Sequence, residues 1–370
     1  MLAGFATAEG TARYATRLRS AVAEGHFRTL DGNVQTSSLG LGTYLGREDA
    51  DTDVRYQEAI GRALGLGITV IDTAVNYRQQ RSERAVGTAL EEAVRQERVR
   101  RDEVLVTTKG GFIPLDAADR RDPRTYFTAT YLETGLITPD DVVAGSHCLT
   151  PRYLRDQLER SRANLGLGTI DVYYVHNPET QLDAVDRPEF LRRMRDAFGA
   201  LEEAVGEGRI VRYGTATWNG YRQDAGTPGS LSLEELVAAA RDVGGADHHF
   251  RVVQLPYNLA MPEAFTRATQ RVGSETVPLL EAARRLGLYV MASASVYQGQ
   301  LTRGLPSVIA DFLPGLSTDA QRALQFVRST PGIGTALVGM KSVAHVDENA
   351  AVGRLAPLAW SEFQRLFREA

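Results

Sequence analysis

Residues 67–110 read GITVIDTAVNYRQQRSERAVGTALEEAVRQERVRRDEVLVTTKG, and this stretch decides the fold. It opens on a short apolar run, GITVIDTA (67–74), crosses an amphipathic stretch of helical length at 82–98, and closes on a second run, EVLVTTKG (103–110). A strand, a helix and another strand make one βα unit of a parallel sheet. The first run delivers Asp72 and the second Lys109, both near their C-terminal ends.

The same rhythm continues in both directions. TSSLGLGTY (36–44) precedes the unit, and IDVYYVHN (170–177), RIVRYGTA (209–216), FRVVQLPY (250–257), LYVMASAS (288–295) and IGTALVGM (333–340) follow it. Helical patterns fall at 54–66, 82–98, 151–165, 188–206, 232–243, 275–286, 318–329 and 343–352. Thr150 before Pro151 reads as a helix N-cap, Ser232 with Glu235 has capping-box spacing, and Gly67, Gly168, Gly208 and Gly287 read as helix stops. Eight strands each followed by a helix is the count of an α/β, (β/α)8 TIM barrel. A doubly wound sheet would need a glycine-rich phosphate loop after its first strand. Gly40, Gly42 and Gly46 lack that spacing.

Residues 1–30 read as an N-terminal helical extension and 31–370 as a single barrel domain, with Asp31-Gly32 turning a hairpin that caps the barrel bottom. Residues 360–367 read as a closing helix. A long connection at 111–149 and another at 294–316 both follow strands, on the face where such barrels carry their sites. The first reads as a lid or an oligomer contact.

Composition narrows the function. A formal net charge of −4 gives no basic excess for nucleic acid, and no apolar run is long enough to span a membrane. The single cysteine, Cys148, and the lack of metal-ligand spacing point to a reducing, cytoplasmic, metal-free setting. Of the 42 basic residues only Lys109 and Lys341 are lysines. A lysine that survives such a bias is suspected of a task for a compact point charge, which a planar guanidinium performs poorly.

The polar residues at the strand ends are Asp72, Lys109 and His176, with Tyr77 in the loop after Asp72. A phenol transfers protons poorly at neutral pH, an adjacent ammonium lowers its pKa, and a carboxylate keeps that ammonium charged and aimed. His176 is placed to hydrogen-bond the oxygen that Tyr77 protonates. Such a set suits proton transfer at a carbonyl or alcohol oxygen. A hydride must then come from elsewhere. His248, His249 and His345 read as solvated. Arg78, Arg81 and Arg84 read either as a solvated helix start or as a site for an acidic substrate group.

DTAVNY (72–77), SERAVGTAL (82–90), VTTKGG (106–111), DVYYVHNPE (171–179) and IGTALVGMKS with DEN (333–349) together resemble the aldo-keto reductases in order and spacing. The resemblance runs from about 36 to 353, outside the N-terminal extension and the 111–149 insertion. It implies a (β/α)8 barrel binding NADPH without a Rossmann motif, and catalytic residues Asp72, Tyr77, Lys109 and His176 with Tyr77 as general acid. It further implies that Gln254 contacts the nicotinamide carboxamide, that Gly339, Met340, Lys341 and Ser342 hold the 2′-phosphate, and that Glu348 and Asn349 meet the adenine. Three positions depart from the family pattern: Ala216-Thr217 replaces a Ser-Asn pair, Ser293 replaces an aromatic, and Arg78 replaces a glycine. Thr217 keeps a hydroxyl for the carboxamide, and Trp218 or Tyr297 is left to supply a ring. The expected activity is NADP(H)-dependent interconversion of a small-molecule carbonyl and its alcohol. The alternatives are a cofactor-binding regulatory subunit and a Schiff-base lyase using Lys109.

Overall fold

The computed structural model describes residues 1–367; residues 368–370, the end of the expected barrel domain, lie outside the described residues. Its strands in chain order are β1 (Phe27–Thr29), β2 (Gln35–Ser37), β3 (Leu39–Gly42), β4 (Val70–Asp72), β5 (Leu105–Gly110), β6 (Ile170–His176), β7 (Ile210–Ala216), β8 (Phe250–Pro256), β9 (Ala268–Val272), β10 (Glu275–Pro278), β11 (Tyr289–Ser293) and β12 (Ile333–Gly339). Eight of these close a parallel barrel in the order β3, β4, β5, β6, β7, β8, β11, β12. This is the (β/α)8 architecture that the alternation of runs implies.

Strand periodicity divides the core in two. Val70, Leu105, Val172, Tyr174, Val252, Met291 and Leu337 fill the barrel interior, and their chain neighbours Ile71, Val106, Tyr173, Val253 and Val338 pack outward with the helices. Burying each such side chain contributes about 1.5–3 kcal/mol. Their period of two also sets the site. Continuing the inward register places Asp72, Lys109, His176 and Gln254 beyond the last apolar layer, at the C-terminal rim.

The opposite end is closed by the hairpin. Strands β1 and β2 pair around a turn at Asp31–Asn33 in which Gly32 takes φ 67°, and Leu30 and Val34 join the interior cluster as a plug. The N-terminal extension forms a helix, Ala8–Leu18, capped by Thr7. It is held to the body by Arg13 on Asp102 and Glu103, by Arg17 on Glu103, and by the buried Tyr14.

Several local expectations need correction. The run at 36–44 splits, because Gln35–Ser37 pairs in the hairpin and only Leu39–Gly42 joins the barrel. The helix expected at 275–286 starts at Leu279, since Glu275–Pro278 pairs with Ala268–Val272 across Gly273 (φ 61°). The left-handed stop of helix Pro151–Leu165 is Gly166 rather than Gly168. Thr150 and Ser232 cap their helices as read, although the Glu235 carboxylate pairs with Arg187 instead of closing a capping box. Residues 360–367 form a helical turn, Trp360–Phe363, continued by a tighter one, Gln364–Phe367. The 111–149 segment is folded on the barrel around a cluster of its own Tyr126, Tyr131, Ile137 and Cys148 with Tyr153 of the following helix, Pro151–Leu165. Among the described residues no helix is long and apolar enough to cross a membrane.

Candidate active site

Asp72 ends β4 and Lys109 lies one residue before the end of β5, and the ion pair between them forms the floor of the mouth. The Lys109 ammonium donates to Asp72 Oδ2 at 2.7 Å, to Oδ1 at 2.9 Å and to the Thr73 carbonyl at 2.8 Å, so all three of its protons are engaged. Asp72 Oδ1 also accepts from Thr107 Oγ1 at 2.7 Å and from Gln254 Nε2 at 2.8 Å. Both groups are buried. The buried ammonium is held above its ordinary pKa: burial works against the charge, and the attraction of Asp72 outweighs it.

Tyr77 stands over this pair, its ring centre 4.9 Å from the Lys109 ammonium. Its phenol is raised above its ordinary pKa because burial outweighs the downward pull of Lys109. The ammonium therefore acts in the expected direction, but desolvation dominates, and the phenol is a proton donor across the neutral range. The Tyr77 ring meets His176 edge-on at 5.9 Å and Tyr44 at 5.0 Å. Burial, then the Lys109 charge, push His176 well below its ordinary value, so its imidazole is neutral.

The turn after Tyr77 is unusual. Arg78, Gln79 and Gln80 all have positive φ (49°, 51° and 71°), a conformation that costs side-chain-bearing residues on the order of 1 kcal/mol each. The turn is held from two sides. Arg78, its side chain 1% exposed, donates to the carbonyls of Arg47 and Asp49 and pairs with Asp53 at 2.6 Å, while Gln80 donates to the Leu115 carbonyl. Arg81 shares Asp53, and Arg84 pairs with Asp116. These three arginines are therefore neither a solvated helix start nor free for an acidic substrate. Arg78 and Arg81 tie the segment after Tyr44 to the loop that carries Tyr77, and Arg84 ties the following helix to Asp116 and Asn164.

A cavity of about 810 Å³ opens above these groups, large for a ligand pocket. Asp72, Tyr77, His176, Thr217, Gln254, Gly339, Lys341, Glu348 and Asn349 all line it, whereas Lys109 lies beneath its floor. Two sequence candidates are elsewhere: Met340 is buried in the core, and Ser342 caps the helix Val343–Ala350 through the His345 amide. Inside the cavity, Thr217 Oγ1 and Asn349 Oδ1 are buried without a partner. Unpartnered polar atoms on residues that line a cavity are open to a polar ligand's hydrogen bonds, and Lys341 adds a cation ahead of a helix N-terminus. The donor set fits a phosphorylated dinucleotide.

The cavity wall also contains residues that the sequence reading passed over. Tyr44, Leu45 and Phe112 line it near Tyr77, and Asn76 contributes a buried amide oxygen without a partner. Trp218 supplies a ring, while Tyr297 does not reach the wall. His345 lines the far end. His248 is buried against Arg251, and His249 pairs with Glu202 at 2.7 Å, so neither is simply solvated. Asn76 and Phe112 sit one residue before Tyr77 and three after Lys109, a proximity that was available as a signal.

Residues 38–304 match the family model described as the aldo/keto reductase family, which covers most of the chain. A D-threo-aldose 1-dehydrogenase of a Pseudomonas species is 24% identical over 311 residues, 81% of this chain and 84% of that protein. The aldo-keto reductase YhdN of Bacillus subtilis is 28% identical over 173 residues, 45% of this chain and 42% of that protein. Among solved structures, an aldo/keto reductase of Klebsiella pneumoniae in complex with NADP and acetate superposes with a TM-score of 0.62 at 23% identity, over 93% of this chain and 94% of that one. The model match, the barrel and the cavity at its mouth agree, and the chain belongs to the aldo/keto reductase family.

Proposed function

We propose that this protein is an NADP(H)-dependent oxidoreductase that interconverts a small-molecule aldehyde or ketone and its alcohol. One observation carries the reading: a protonated phenol, Tyr77, stands over a lysine–carboxylate pair at the floor of a cavity with unsatisfied polar groups along its wall. Lys341, Glu348 and Asn349 would hold the phosphorylated adenosine end, and Thr217 and Gln254 the carboxamide end. When bound, the reduced nicotinamide supplies the hydride.

The remaining chemistry belongs to the chain. His176, neutral and beside Tyr77, orients the carbonyl oxygen by a hydrogen bond. Tyr77 gives its proton to that oxygen as negative charge develops there, and the Lys109 ammonium beneath the ring stabilises the phenolate that remains. Asp72 keeps Lys109 charged and immobile. In the oxidative direction the same phenolate removes the alcohol proton. Schiff-base chemistry at Lys109 is disfavoured, because Asp72 holds the amine protonated and all three of its protons are engaged. The test is NADPH oxidation with a panel of aldehydes and ketones. Steady turnover with at least one carbonyl is expected; binding of NADPH without turnover would favour a cofactor-binding regulatory subunit.

A further inference from the structure

Besides Phe112, which lines the cavity, the 111–149 segment meets the backbone of the active site through one histidine. His147 is fully buried, and its Nε2 lies 2.7 Å from the backbone carbonyl oxygen of His176. A carbonyl only accepts, so Nε2 carries the proton. Nδ1 is then a lone pair, and Gln181 Nε2 donates to it at 2.8 Å. Gln181 Oε1 in turn accepts from Arg193 Nη1 at 2.6 Å. An arginine cannot accept a hydrogen bond, so the polarity is set along the whole chain from Arg193 through Gln181 and His147 to His176. Burial pushes the His147 imidazole down to about 4, which keeps it in the neutral form that this chain requires.

Two further contacts tie the segment to the same spot. The Phe112 ring is wedged edge-on between the two imidazoles, 5.0 Å from His147 and 5.1 Å from His176. Gly111, at φ 142°, passes between them where an added Cβ would lie 2.9 Å from both His147 Nε2 and the His176 carbonyl oxygen. His176 is the last residue of β6, and Asn177 turns away in a left-handed conformation (φ 44°), so this carbonyl sits where the sheet ladder ends.

We propose that the 111–149 segment serves the active site, with His147 as a positioning residue that fixes His176 through its backbone carbonyl. The inference rests on the function proposed above, and its test separates the two. In the intact chain, histidine-ring NMR and benzaldehyde reduction by NADPH are measured for the wild type, His147→Ala, His147→Gln and Gln181→Leu. The expected spectrum of the wild type shows His147 as the Nε2–H tautomer at neutral pH. His147→Ala is expected to shift the His176 ring resonances and lower kcat about tenfold with KM for NADPH unchanged. His147→Gln, whose amide can donate to the same carbonyl, restores most of both. Should His147→Ala fail to fold, Gln181→Leu carries the test through a smaller fall in kcat and a shift of the same ring. Unmoved His176 resonances and wild-type kcat in the variant that folds would overturn the proposal. A wild type inactive on benzaldehyde and on the whole panel of aldehydes and ketones sinks the functional reading, while the ring resonances still decide the positioning role.

Discussion

At the mouth of the barrel a buried lysine is matched by a carboxylate, whereas at the closed end a buried arginine is matched only by neutral acceptors. Asp72 lines a large cavity, and Lys109 is paired with it just beneath the floor. Arg328, fully buried, donates to Ser38 Oγ, Gln325 Oε1 and the carbonyls of Val352 and Leu355. Burial pushes its guanidinium down to about 9. The arginine ties together the end of its own helix, the hairpin and the segment after Ala350. A cation spent on carbonyls holds chain ends in place; a cation aimed under a phenol beside open space is available for chemistry.

The sharpest way to break the comparison is to alter the mouth without altering the fold. Tyr77→Phe removes the proposed proton donor and leaves the ring packing. It is expected to lower kcat by roughly 10²–10⁴-fold with thermal midpoint and NADPH affinity near those of the wild type, as read by steady-state kinetics, calorimetry and a melting curve. The mirror experiment is Arg328→Met at the closed end. Gln325 Oε1 and the Leu355 carbonyl lose their donor, while Ser38 keeps His26 and the Val352 carbonyl keeps the Leu355 amide; the change is expected to cost about 3 kcal/mol of stability, seen as a lowered denaturant midpoint, with activity kept in the fraction that remains folded.

A third test uses a feature common to both ends. His26, which hydrogen-bonds the Gly67 carbonyl at the bottom, and His147 at the mouth are each pushed by burial down to about 4. Below the ordinary value of about 6.5 the unfolded chain takes up protons that the folded chain refuses, so stability falls as pH drops from about 6.5 to about 4. At pH 5 the loss is about 2 kcal/mol for each histidine. His26→Gln is expected to remove its share, measured as a smaller difference between denaturant midpoints at pH 7 and pH 5. The smallest effect is at the far end of the cavity. Lys341→Ala is expected to weaken NADPH about tenfold and leave NADH little changed, by titration calorimetry; equal losses would remove the assignment.

The parts of this molecule that were legible in its sequence are those written in local periodicity. The apolar runs at 67–74 and 103–110 predict the strands Val70–Asp72 and Leu105–Gly110 and leave Asp72 and Lys109 as the polar residues near their C-terminal ends. The scarcity of lysine pointed to the cavity, with Lys109 beneath its floor and Lys341 on its wall. What stayed hidden depends on tertiary contact. His147 meets His176 across 29 residues of chain, and no pattern around it distinguishes a buried imidazole from a solvated one. The Arg78 turn was hidden for a similar reason, because its left-handed backbone is held by Asp53 and by carbonyls of another loop. The β9–β10 hairpin was missed because ETVPLLEAARR reads as one amphipathic helix until Pro278 interrupts it.

In the proposed reaction Tyr77 delivers the proton while bound NADPH delivers the hydride within the same cavity. Incubating the protein with NADPH deuterated at the transferable position and a reducible aldehyde, then reading deuterium at the alcohol carbon, tests it most directly. One deuterium per alcohol is expected from the wild type, and almost no alcohol from Tyr77→Phe at equal NADPH occupancy. Unlabelled alcohol, or labelled alcohol formed at an undiminished rate by Tyr77→Phe, would contradict it.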